Sequence, residues 1–126
     1  MVTLTIGGSL AGLNEYTKAN RTNIHVGANM KKQAEIRISS YIYQQLQGVK
    51  TIDRCTIKFV WVEKDKRRDL DNICFAKKFI LDALVKNSIL KGDGWSCVMG
   101  FEDTFRVDKT RPRIEVYIEE VAHEGH

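Results

Sequence analysis

Arg54-Cys55-Thr56-Ile57-Lys58-Phe59-Val60-Trp61-Val62-Glu63, followed at once by Lys64-Asp65-Lys66-Arg67-Arg68, decides the fold. Successive side chains of an extended strand point to opposite sides, so Cys55, Ile57, Phe59 and Trp61 share one face. Thr56, Lys58, Val60 and Val62 share the other. Both faces are largely apolar, which predicts a central strand covered on both sides. The charged run Lys64 to Arg68 then carries the chain out of the sheet. From about Asn72 to Lys86, the residues Ile73, Ala76, Phe79, Ile80, Ala83 and Leu84 recur at steps of three and four, the apolar stripe of a helix. Asn72 or Asp71 is placed to cap its start by accepting free backbone N–H groups. Asn87 is placed to end it in the left-handed conformation. Ile89-Leu90 and a tight Lys91-Gly92-Asp93-Gly94 turn follow.

Working outward, Thr3-Leu4-Thr5-Ile6 alternates and meets Gly7-Gly8, a short first strand broken at glycine. Residues 9–28 hold Gly12, Asn14, Asn20, Asn23 and Gly27 and read as a long irregular loop, of the kind that is functional or mobile. From about Asn29 to Gln47 helix formers dominate, with Asn29 or Gly27 at the start and Gly48 at the end. Val98 to Val107 reads as a strand interrupted near Glu102-Asp103. Arg113 to Val121 alternates cleanly, with Ile114, Val116 and Ile118 on one side. The sum is an α/β (α+β) single domain over residues 1–121, a mixed β-sheet with two main helices, and a frayed tail at 122–126.

The composition narrows the class. Apolar residues are 43% of the 126, too many for a disordered chain, and the length suits one core rather than two. No apolar stretch approaches the roughly 20 residues of a membrane span, and no basic region precedes an apolar N-terminal run as in a secretory signal. Cys55, Cys74 and Cys97 are odd in number, widely spaced and without a CxxC, so they read as reduced thiols of a cytoplasmic protein rather than zinc ligands or a disulfide framework. The net charge of +4 gathers at Lys31-Lys32, at Lys64 to Arg68 and between Arg106 and Arg113. Basic clusters gain free energy by releasing counterions from a polyanion, so nucleic acid is a candidate partner, although such runs are often solvated faces.

The chemistry concentrates in Arg67-Arg68-Asp69-Leu70-Asp71-Asn72, the helix after it, and Asp93. Extended backbone would send the Asp69 and Asp71 carboxylates to the same side, where they repel unless a cation sits between them. A hard divalent ion takes one or two carboxylates plus phosphate and water. Arg67 and Arg68 could hold a phosphate backbone nearby. Asp93, between two glycines, is a third candidate, and Lys78, two helical turns beyond Asp71, a candidate for stabilising charge on a phosphate. Asp82, four residues after Lys78, could pair with it. The competing reading takes each aspartate as a helix cap or turn residue and the lysines as solvent-facing. Two other Asp-x-Asp schemes fail. A haloacid-dehalogenase-type phosphatase needs an apolar strand running into its first aspartate, and Lys64 to Arg68 stands there instead. A calcium loop needs oxygen ligands where Ile73 and Phe75 stand.

Arg68-Asp69-Leu70-Asp71-Asn72, the amphipathic helix with Lys78 and Leu81-Asp82-Ala83-Leu84, and then Asp93 resemble the core of the RusA-type Holliday-junction resolvases. Gly12 to Tyr16, Arg21 and Gly27 to Lys32 resemble the phage-borne branch of that family. The resemblance spans about Ile6 to Ile118. It implies a homodimer acting on branched DNA, a four-way junction cut by paired symmetric nicks in recombination and repair. It implies Mg2+ or Mn2+, with Asp69, Asp71 and Asp93 as catalytic metal ligands and Lys78 as the catalytic lysine, and no small-molecule cofactor. Arg21, Lys31, Lys32, Lys66, Arg67 and Arg68 would bind DNA phosphates. The chain is three residues longer between Asn72 and Asp82 than the best-known member. Lys78 fits when counted back from Asp82, and Lys77 remains a substitute. Gly92 stands where some members carry a further acid. The alternative from another class is a non-catalytic DNA-binding protein whose basic patch does all the work.

Overall fold

A computed structural model of the chain describes residues 1–122. The expected tail at 122–126 lies outside the described residues except for Ala122. Four strands, β1 (Val2–Gly7), β2 (Cys55–Glu63), β3 (Val98–Val107) and β4 (Arg113–Glu120), form one mixed sheet in the order β1-β4-β2-β3. β4 pairs antiparallel with both β1 and β2, while β3 runs parallel to β2 at the edge. Parallel neighbours need a long crossover, which the chain between β2 and β3 supplies. The helices are α1 (Leu13–Thr22), α2 (Ile24–Gln45), α3 (Leu70–Cys74) and α4 (Lys77–Lys86). The α+β class and mixed sheet are as the periodicity implies.

One face of the sheet carries the core. Leu4 and Ile6 of β1, Ile57, Phe59 and Trp61 of β2, and Ile114, Val116 and Ile118 of β4 pack in one cluster with Ile38 and Ile42 of α2 and Ile80 and Leu84 of α4. Each fully buried side chain of this size contributes roughly 1.5–3 kcal/mol. Phe59 and Trp61 stack at 5.4 Å between ring centroids. Among the described residues no helix is long and apolar enough to cross a membrane.

Several expectations change. First, β2 is central but no second layer lies on its other face. Val60 and Val62 are nonetheless buried, directly across from Glu115 and Arg113 of β4. An ion-paired side-chain lattice, Arg113 to Glu115 at 2.7 Å and Tyr117 to Glu115 at 2.7 Å, replaces the missing layer. Its electrostatic signature is consistent: the Tyr117 hydroxyl first, then Arg113, holds the Glu115 carboxyl below its ordinary range.

Second, residues 9–28 are not an irregular loop. They hold α1 and the start of α2, joined at Asn23, which caps α2 by accepting from the His25 N–H at 2.7 Å. The glycines that suggested a loop serve close approach instead. A Cβ at Gly27 would lie 1.7 Å from Asn20 Oδ1, so a side chain there would have to push aside the exposed Asn20 side chain that α1 lays against α2. α2 ends at Gln45, and Gly48, at φ +79, lies just beyond. Third, the helix after β2 is interrupted at Phe75-Ala76. α3 starts from Asp69, and it is Ser88, not Asn87, that turns left-handed after α4. β3 runs unbroken through Glu102-Asp103.

Candidate functional site

The Arg67–Asn72 segment is positioned by the chain it crosses. Asn72 is buried, and its Oδ1 accepts the Asn14 N–H at 2.8 Å, tying α3 to the first turn of α1. Gly12 passes so close that a Cβ there would meet the Asn72 carbonyl at 2.4 Å. Arg68 is drawn inward as well. Its guanidinium binds the buried Glu63 carboxylate at 3.2 Å and the Leu10 carbonyl at 3.1 Å, with Glu15 at 3.7 Å. Expected as a phosphate ligand, Arg68 instead clamps the strand exit onto the N-terminal segment. Lys66 and Arg67 remain exposed, Arg67 beside Asp65 at 3.6 Å.

With that segment fixed, the two aspartates diverge in role. Asp69 is the N-cap residue of α3 with extended backbone, yet its carboxylate makes no capping hydrogen bond. It is exposed and carries no partner among the described residues. Asp71 lies inside the first turn of α3 and accepts from the Asn72 N–H at 3.0 Å. The same-side argument from extended backbone therefore does not apply, because helical positions i and i+2 do not face each other.

The two lysines at the start of α4 part company. Lys77 turns to the sheet. Its ammonium pairs with Asp103 of β3 at 2.7 Å and lies over the Phe101 ring at 4.5 Å and the Phe59 ring at 5.3 Å. Asp103 also accepts from Trp61 Nε1 at 2.8 Å, so this carboxylate is committed on both oxygens. Lys78 turns to the surface. It pairs with Asp82 at 3.1 Å, as its i,i+4 spacing implies, and stands 4.0 Å from Asp93. Asp82 also reaches Lys31 of α2 at 3.6 Å. Lys31, Asp82, Lys78 and Asp93 thus form one ion network from three separate segments. The Asp82 hydrogen bond, then the Asp82 and Asp93 charges, hold Lys78 above its ordinary range, so it is a cation at neutral pH and not a proton acceptor.

Arg21 and Lys32 are exposed, on α1 and α2. Sequence reasoning missed Asp103 and Glu63, both acidic side chains turned toward the helix layer. The available signal was parity. Asp103 shares its side of β3 with Phe101 and Phe105, and Glu63 shares its side of β2 with Trp61. A carboxylate among apolar neighbours implies a buried cationic partner.

A divalent cation has its donor chemistry here in the carboxylate oxygens of Asp69, Asp71 and Asp93. The chain does not gather them in advance: among the described residues no three His, Cys, Asp or Glu side chains stand together as a metal cage. Asp93 stands 4.0 Å from Lys78, while Asp69 is the carboxylate left open. The chain matches no family model, and no curated protein is significantly similar to it.

Proposed function

We propose that the protein is a metal-dependent endodeoxyribonuclease that nicks branched DNA, a four-way junction above all, as a cytoplasmic homodimer in recombination and repair. The observation that carries this reading is the Lys31–Asp82–Lys78–Asp93 network, with Lys78 3.1 Å from Asp82 and 4.0 Å from Asp93. It joins an expected phosphate-binding lysine, the expected catalytic lysine and the third expected acid. It also favours Lys78 over Lys77, whose ammonium is spent on Asp103.

Within this reading Lys78, held protonated, stabilises negative charge on the attacked phosphate or the leaving oxygen. Lys31, Lys32, Arg21, Lys66 and Arg67 bind backbone phosphates. Arg68 acts indirectly, by fixing the segment that carries Asp69. Mg2+ or Mn2+ is the proposed cofactor; Asp69, Asp71 and Asp93 would supply its oxygen donors, drawn together only when the ion and DNA phosphate bind. When bound, such an ion lowers the pKa of its water and neutralises phosphate charge. A two-subunit assembly matches the two-fold symmetry of a junction.

The test separates binding from cutting. Asp71→Asn is expected to keep binding a labelled four-way junction while losing cleavage by at least about a hundredfold, the scale of a removed catalytic group. Unchanged cleavage would refute the assignment. A non-catalytic DNA-binding protein is the second reading, favoured by the absence of a gathered carboxylate trio among the described residues. It predicts binding that falls with salt, ignores chelator and yields no nicks.

A further inference from the structure

The two edges of the sheet are treated differently. At the β1 edge, α2 occupies the outward peptide groups. Gln45 accepts from the Thr5 N–H and donates to the Thr5 carbonyl, each at 2.8 Å, and Arg37 donates to the Gly7 carbonyl. A further strand is blocked at Thr5 and Gly7. At the β3 edge, no hydrogen bond reaches the peptide groups of residues 99–107 from any described element but β2. β3 is ten residues long and exposes Met99, Phe101 and Val107, the last two at 46% each. A long, open, partly apolar edge strand is a template for pairing with another chain.

We infer that the open edge of β3 pairs antiparallel with β3 of a second copy of this chain, joining the two sheets into one across a two-fold axis at Thr104. The sequence of the strand selects the register. With Thr104 opposite itself, Glu102 faces Arg106 of the partner subunit and Phe101 faces Val107 of the partner subunit, each contact occurring twice. Both members of each pair lie on the same side of the strand, so the helix layers stay on one face. The neighbouring registers fail on charge. Centring on Asp103 or on Glu102 sets like carboxylates opposite each other, and centring on Phe105 sets Glu102 against Asp108 of the partner subunit. Opposite charges and apolar pairs across strands are favourable, and like charges directly opposite are not. The inference rests on the proposed homodimer for its use, and on the edge strand rather than the carboxylates for its geometry.

Charge reversal tests it. By analytical ultracentrifugation the intact chain is expected to dimerise. Glu102→Arg alone and Arg106→Glu alone, each folded by circular dichroism, are each expected to weaken the dimer by on the order of tenfold or more, because two like-charge contacts replace two attractive ones. Mixing these two variants is expected to restore a one-to-one dimer. In the mixed pair the two reversed side chains face each other in one contact and the two native ones in the other, so both contacts join opposite charges. The double variant is expected to dimerise by itself. A monomeric parent chain, single variants as tightly dimeric as the parent, or a mixture that fails to pair would each overturn the inference. Junction nicking by the parent chain reads the nuclease proposal separately. A dimer without nicking sinks that proposal and keeps this one, and nicking by a monomer does the reverse.

Discussion

Replacing Gly12 with alanine tests whether the first turn of α1 is seated on Asn72 as tightly as the structure has it. Gly12 caps α1 at φ −95 and ψ −170, extended backbone that alanine adopts without strain. All of the effect must then come from space. A Cβ would lie 2.4 Å from the Asn72 carbonyl, 2.4 Å from Arg68 Nη2 and 2.6 Å from Asn72 Oδ1, where ordinary contact begins at 3.4 Å. Relief requires a shift of about 1 Å. That would stretch the Asn14–Asn72 hydrogen bond from 2.8 Å to roughly 3.8 Å, beyond hydrogen-bonding length. The Arg68 bond to the Leu10 carbonyl would loosen with it. Each lost bond costs about 1 kcal/mol, and overpacking costs about 1–3 kcal/mol. The opposing gain, a less flexible unfolded chain, is only about 0.4–1 kcal/mol. The net expectation is a loss of about 2–4 kcal/mol. At roughly 3–5 °C per kcal/mol for a chain of this size, Tm falls by about 6–20 °C. Calorimetry measures the shift, and Gly94→Ala, with nothing within 4 Å of its Cβ, is the control expected to change stability by under about 0.5 kcal/mol. A Gly12→Ala protein melting within about 2 °C of the parent would refute the close seating of the α1 start on α3.

The two adjacent lysines should behave oppositely. Lys77→Met strands a half-buried Asp103 carboxylate and is expected to cost about 1–2 kcal/mol by urea unfolding, whereas Lys78→Met, on a side chain 60% exposed, stays within about 0.5 kcal/mol. Equal effects would contradict the opposite orientations of the two ammonium groups. Burial pushes the Cys55 thiol up to about 11, with Cys97 next among the causes. Under native conditions at pH 8, Cys55 is expected to resist iodoacetamide while Cys97 and Cys74, both partly exposed, react faster, as read by peptide mass spectrometry. The sign for stability follows. A raised folded pKa favours the protonated native state, so this contribution is complete below about pH 9 and fades as pH climbs toward 11, visible as a falling urea midpoint in that window.

β2, β4 and the apolar stripe of α4 were legible because periods of two and of three to four residues are properties of the chain itself. So was the Lys78–Asp82 pair, fixed by one helical turn. The polar helix α1 was not legible, since its few buried side chains leave little stripe and the glycines on either side of it, Gly12 and Gly27, mimic a loop. Gly12 needs to be glycine because the Asn72 backbone passes over it, a fact absent from its neighbours in sequence. Asp69 and Asp71 stand two apart in any conformation, but whether they share a side depends on where α3 begins, and Asp69 begins it.

By itself the sequence determined which residues could pack and which carried charge, because hydrophobic period and residue chemistry are local. Only the tertiary structure decided which charges are spent. Arg68 went to Glu63, Lys77 to Asp103 and Asp93 to Lys78, pairings set by segments 5, 26 and 15 residues apart. Ion pairs form between groups that folding brings within a few ångströms, and that distance is set by how helices and strands pack, not by the order of residues along the chain.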